Sequence, residues 1–145
     1  MRRIVWGILC GIMVSLSSCS VMPDVVVMKD VDVNNWHEPI SLEWDNYSEQ
    51  ERDLSIMLHV NSLFDAQQIA LQIKIYSPDS LYHTEQVVLP CTAELSQTTA
   101  RATDVEIPYR RNVSLKHKGK YIVEITPLES ISGVEAAGIN FQADK

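Results

Sequence analysis

Leu54-Ser55-Ile56-Met57-Leu58-His59-Val60, followed by Ile69-Ala70-Leu71-Gln72-Ile73-Lys74-Ile75, decides the fold class of this chain. In both stretches an apolar residue recurs at every second position. Side chains of a strand alternate between two faces, so this period asks for a β-strand with one face in a core and the other in water. Ala66-Gln67-Gln68 would suit the start of a helix. A helix would need its apolar residues three and four positions apart, which the stretch from Ala66 to Tyr76 does not provide.

The same signal spreads outward from this pair. Ser77-Pro78-Asp79-Ser80 is a turn, because proline presets φ and aspartate supports the bend. Tyr82 to Leu89 reads as a strand that Pro90 ends, and Thr92 to Thr103 as a loop holding at most one helical turn around Ala93 to Gln97. Val105, Ile107 and Tyr109 alternate again, with Pro108 pushing that strand to a sheet edge. Lys118-Gly119-Lys120 turns the chain into Tyr121 to Thr126, whose core face is Tyr121, Val123 and Ile125. Gly133 breaks the chain before a last strand, Val134 to Phe141. On the N-terminal side, Val25 to Met28 and the alternating Ile40, Leu42 and Trp44 supply two more strands, separated by the turn residues Asn34-Asn35. That makes about eight short strands and no helix long enough to cover a sheet. The expected fold is all-β, a two-sheet antiparallel β-sandwich, with a small barrel as the alternative.

Ahead of the domain, Met1-Arg2-Arg3 is basic and Ile4 to Leu16 is apolar apart from Ser15. A basic start, a short apolar run and small residues make a secretory signal, too short for the 20 or so apolar residues of a spanning helix. Leu16-Ser17-Ser18-Cys19 closes it with a cysteine where a lipoprotein signal peptidase expects one. The reading is a signal peptide over 1–18, a lipid anchor at Cys19 with a short tether to residue 24, and one domain over 25–145. Acyl chains on that cysteine would hold the protein to a membrane stably. The two residues after Cys19 carry no inner-membrane aspartate and no acidic export run, which favours the outer membrane, facing the periplasm.

Losing residues 1–18 leaves 127 of the 145 residues, with 10 basic against 19 acidic side chains and a net charge of −9. Such a surface repels nucleic acid. Cys10 departs with the leader and Cys19 takes lipid, so Cys91 stands alone without a disulfide or zinc partner. His37, His59, His83 and His117 are scattered at no metal-ligand spacing, and no nucleophile elbow or phosphate loop is present. No cofactor, no metal and no enzymatic activity are expected. One local feature stands out: Arg110, Arg111, Lys116, Lys118 and Lys120, with His117 among them, place half of the mature basic residues within 110–120. Lysines on a hairpin edge also discourage strand pairing. As a functional feature they would dock an acidic partner or membrane phosphates.

The run Gly119-Lys120-Tyr121-Ile122-Val123-Glu124-Ile125, then Ile131-Ser132-Gly133-Val134-Glu135-Ala136-Ala137-Gly138-Ile139, resembles the ending of the gliding-motility lipoproteins of the GldH family. Trp36 with Ile40-Ser41-Leu42-Glu43-Trp44 resembles that family's early tryptophan and strand. The chain would be a divergent member, with Leu63-Phe64-Asp65 where the family tends to carry Tyr-Pro-Tyr. The resemblance implies a lipoprotein of Bacteroidetes-type bacteria, associated with gliding or type IX secretion machinery. It brings no catalytic residue.

Two functions follow as expectations. The first is a membrane-anchored, non-catalytic lipoprotein acting through contacts with other envelope proteins. The alternative is a small ligand- or glycan-binding lipoprotein that uses Trp44, Tyr47 or Tyr109 as stacking platforms, and the exposure of those rings separates the two.

Overall fold

A computed structural model describes residues 23–80, 82–91 and 102–143. They form eight strands: β1 Val25–Asp30, β2 Ile40–Asn46, β3 Glu51–Val60, β4 Gln68–Tyr76, β5 Tyr82–Pro90, β6 Thr103–Ser114, β7 Gly119–Pro127 and β8 Val134–Ala143. The first sheet has the order β1-β8-β3-β6 and the second β2-β7-β4-β5, with every pairing antiparallel. The fold is therefore the expected β-sandwich, and the two sheets remain separate rather than closing into a barrel. The leader, Cys19 and the segment 92–101 lie outside the described residues, together with the helical turn expected around Ala93 to Gln97.

Alternation decides what goes inside. Leu54, Ile56, Leu58 and Val60 of β3 meet Leu71 and Ile73 of β4 and Val123 and Ile125 of β7 in one core, each at most 2 % exposed. Burying an aliphatic side chain of this size contributes about 1.5–3 kcal/mol. β8 departs from strict alternation, since its outward Gly138 and Asn140 are buried as well. Glycine at 138 explains part of this. Met28 of β1 lies across it, and a Cβ there would stand 2.0 Å from the Val27 carbonyl oxygen.

The sandwich has two ends. At one, β1 starts, β8 finishes, and the β2–β3, β4–β5 and β6–β7 connections turn. Asn46 fixes these connections to one another. It is 1 % exposed, and its Nδ2 donates to the carbonyls of Leu115 and His117, both at 3.1 Å. At the other end the β1–β2, β3–β4 and β7–β8 connections are laced together by backbone hydrogen bonds. Trp36 and Ile131 exchange two at 2.9 and 3.0 Å, the Gly133 amide donates to Val33, and Asn61 donates to the Gly133 carbonyl. The Trp36 indole, 1 % exposed, is satisfied by the Glu38 carbonyl at 2.9 Å.

Candidate functional site

β6 is an edge strand, and it runs past its expected end at Tyr109 to Ser114 by breaking register twice. Ser55 faces Pro108 but Leu54 faces Arg110, so Tyr109 is one residue too many, and a second shift follows before Arg52 faces Val113. Asn112 sits at φ 52°, a left-handed conformation asparagine tolerates, and its amide donates to Asp53 Oδ1 at 2.8 Å. Bulges add a residue to one strand and re-aim the side chains around it. Here they turn Tyr109 towards the second sheet and gather Arg110 and Arg111 at the rim of the first.

The re-aimed residues close the seam between the open edges of the two sheets. The Tyr109 hydroxyl and the Arg110 guanidinium both donate to the carboxylate of Glu85 on β5, and His83 Nε2 lies 3.3 Å from it. Burial alone would raise the Glu85 carboxyl. The hydrogen bonds from Tyr109, Arg110 and His83 and the guanidinium charge outweigh it and hold the group below the usual carboxylate range. The Tyr109 phenol is pushed up, by burial first and then by the carboxylate it faces. A carboxyl whose folded pKa is depressed adds stability above its unfolded pKa and loses it as pH falls through the folded value. Glu85→Gln, which keeps an acceptor oxygen but loses the charge in a partly solvated cluster, is therefore expected to cost about 0.5–1.5 kcal/mol near neutral pH. It should also flatten the fall in urea midpoint below about pH 4.5, where the wild-type carboxylate protonates. Parallel acid limbs in the two proteins would remove Glu85 from the account.

Beside the seam, the outer face of the first sheet carries an open groove of about 260 Å³. Asp53, Ser55, Glu106, Arg110, Arg111 and Gln142 line it. Acceptors and donors alternate across it on three strands. Glu106 Oε1 accepts from Gln142 Nε2 and from Asn140 Nδ2, which places both amides at fixed angles. Asn140 is 6 % exposed, and its Oδ1 has no partner among the described residues. A buried acceptor left open costs about 1–3 kcal/mol, so packing alone does not explain an asparagine there.

The five basic residues singled out in the sequence fall in three places. Arg110 and Arg111 are at the groove. Lys116 and Lys118 are exposed on the β6–β7 connection, where the intervening His117 turns to Asp79 at 3.1 Å. Lys120 lies on the outer face of the second sheet, with its Nζ 2.9 Å from Glu43.

The three candidate rings also part company. Trp44, a stacking platform only under the alternative function, is 7 % exposed because it points into the core with Ile40 and Leu42, stacked on Phe141 at 4.1 Å and beside Tyr121 at 5.8 Å. Tyr109 is half-buried in the seam, and Tyr47, 76 % exposed, stays in water. The sequence reading missed a pair of rings: Tyr76 and Tyr82 face each other across β4 and β5 on the outer face of the second sheet, centroids 5.1 Å apart. Their positions one step from the core-facing Ile75 and at the mouth of the Ser77–Ser80 turn were the available signal. His59 bridges Asp104 at 2.7 Å and Glu135 at 3.7 Å. Among the described residues no group of three His, Cys, Asp or Glu is placed to hold a metal. Cys91 is a free, half-buried thiol raised by desolvation.

No protein-family model and no curated protein sequence matches the chain. Among solved structures, it is similar to a carbohydrate-binding module, CBM28, described as specific for non-crystalline cellulose. The TM-score is 0.36 at 9 % identity, over 83 % of this chain and 80 % of the module. No residue correspondence follows from a likeness of that degree.

Proposed function

We propose that the protein is a non-catalytic binding module of the cell envelope, held to a membrane through Cys19, that takes a polar, hydroxyl- and carboxylate-bearing chain. An acidic glycan is the nearest chemical class. The observation that carries this reading is the groove on the first sheet. Sugar hydroxyls donate and accept at once, and the groove offers carboxylates, amides, a hydroxyl and guanidinium groups on neighbouring strands. Arg111 is exposed and engages no ion-pair partner among the described residues, leaving its planar fork for a ligand carboxylate. Asp53 and Glu106 already accept hydrogen bonds from Asn112 and from the Asn140 and Gln142 amides, which suits holding a ligand better than moving protons.

Titrating the protein with uronic-acid and neutral oligosaccharides by calorimetry tests this. Arg111→Ala and Gln142→Ala are each expected to weaken binding of the acidic series about tenfold with no change in melting temperature. Absence of binding by any saccharide overturns the reading. Unchanged binding in both variants with loss in Tyr82→Ala would move the site to the tyrosine pair.

A second reading is contact with another envelope protein. Leu63 and Leu128 are exposed, 57 % and 44 %, in connections at the end of the sandwich away from the start of β1. Association with gliding or type IX secretion machinery, which the resemblance implies, belongs to this reading, and cross-linking at those two leucines would identify the partner.

A further inference from the structure

We infer that the end of the sandwich at which β1 begins rests on an anionic phospholipid surface, with Lys116 and Lys118 against headgroup phosphates and Tyr47 in the interface. The inference rests on the proposed anchor at Cys19, and a comparison of two lengths gives it direction. Asp24 is fixed to the domain, its carboxylate accepting the Ala143 amide at 3.1 Å. From Cys19 to Asp24 the chain reaches roughly 17 Å fully extended. The ten residues of β3 span roughly 34 Å along the sandwich. The leash is about half the length of the body, so the domain cannot stand inverted over a bilayer that holds Cys19, with the end carrying Asp24 uppermost.

The near end is suited to the surface it meets. Asn46 holds the β6–β7 connection through two hydrogen bonds, and His117 turns sideways to Asp79. Lys116 and Lys118 are left exposed, and no ion pair engages them among the described residues. Each lysine brought near an anionic leaflet adds attraction that decays within a Debye length. Tyr47, at the adjacent β2–β3 connection, has the amphipathic ring that favours a membrane interface. Glu49 on the same connection, Glu51 at the start of β3, and the carboxylates of Asp24, Asp53 and Asp79 oppose the attraction, since the amides of Ala143 and Asn112 leave the charges they bond in place. At the far end Asp30, Asp32, Glu38, Asp65 and Glu129 are all exposed, against Lys29. Among the described residues the far end thus offers an anionic bilayer Lys29 alone against those five carboxylates, whereas the tethered end, acidic as well, presents Lys116 and Lys118 on one connection beside Tyr47.

The test places the lipidated full chain, with Cys91→Ser, in vesicles whose headgroups carry a quencher, and puts a fluorophore at Gln50→Cys or at Leu63→Cys. The probe at 50 is expected to be quenched and the probe at 63 to stay bright. With about one third phosphatidylglycerol in phosphatidylcholine, quenching at 50 should exceed that in phosphatidylcholine alone by about threefold or more. Lys116→Glu with Lys118→Glu should abolish that difference at unchanged melting temperature. Protein that floats with the vesicles but shows equal quenching in both lipids, or a quenched probe at 63, overturns the inference and leaves the anchor standing. Protein that does not float overturns the anchor, and the inference with it.

Discussion

Trp44→Ala is expected to cost about 3–5 kcal/mol, a large share of the 5–15 kcal/mol by which a domain of this size is held together. The ring lies parallel to Phe141 of the opposite sheet at 4.1 Å, so it is one of the side chains that join the two layers. It also shields a charge. The Arg52 guanidinium stands 5.3 Å from the ring centroid, 4 % exposed, with Nη1 donating to the Phe141 carbonyl at 3.1 Å. Removing the indole leaves a cavity and admits water beside a cation whose placement depends on staying dry. Urea unfolding followed by the fluorescence of Trp36 measures the loss. A shift below about 1 kcal/mol would mean that the ring does not bridge the sheets.

Gly133→Ala is expected to be nearly as damaging, by a different route. Gly133 adopts φ 82°, and an added Cβ would stand 2.2 Å from the Phe64 amide nitrogen and 2.6 Å from the Leu63 carbonyl carbon. Those atoms are backbone and cannot swing aside. Both polar groups of Gly133 are committed, the amide to Val33 at 2.7 Å and the carbonyl to Asn61 at 2.8 Å. The left-handed conformation costs about 1–2 kcal/mol with a side chain, and overpacking about 1–3 more. The loss should be local at first: amide exchange at Asn61 and Gly133 is expected to accelerate before that of β3 or β8. Wild-type exchange at these amides would show that the three connections move together to make room.

Most of the strands were legible in the sequence because period two is a property of each strand alone. Leu54 to Val60 and Ile69 to Ile75 fall on β3 and β4, and the turn at Ser77–Ser80 closes as expected with the Ser80 amide on the Ser77 carbonyl at 3.0 Å. What alternation cannot carry is pairing. Nothing in Leu54 to Val60 says that the strand lies between β6 and β8. The groove was illegible for the same reason. Asp53, Glu106 and Gln142 are far apart in the chain, and the bulge that brings Arg110 beside them arises from a register mismatch between two strands. The basic run at 110–120 was visible, but its division among a groove, an end and the opposite sheet depends on β6 and β7 belonging to different sheets. Trp44 stood open between core and stacking platform, because a tryptophan in an alternating strand looks the same whichever face it takes. Its place in the series with Ile40 and Leu42 was the cue that it points inward.

The strand order has a kinetic consequence. Among the described residues only β4 and β5 are neighbours both in the sheet and along the chain, while β1 waits for β8. Contacts between distant segments form slowly, over milliseconds to seconds. A ribosome must finish the final strand before the opening one finds its mate. Until then the first strand is left unpaired and the sheet it belongs to is incomplete.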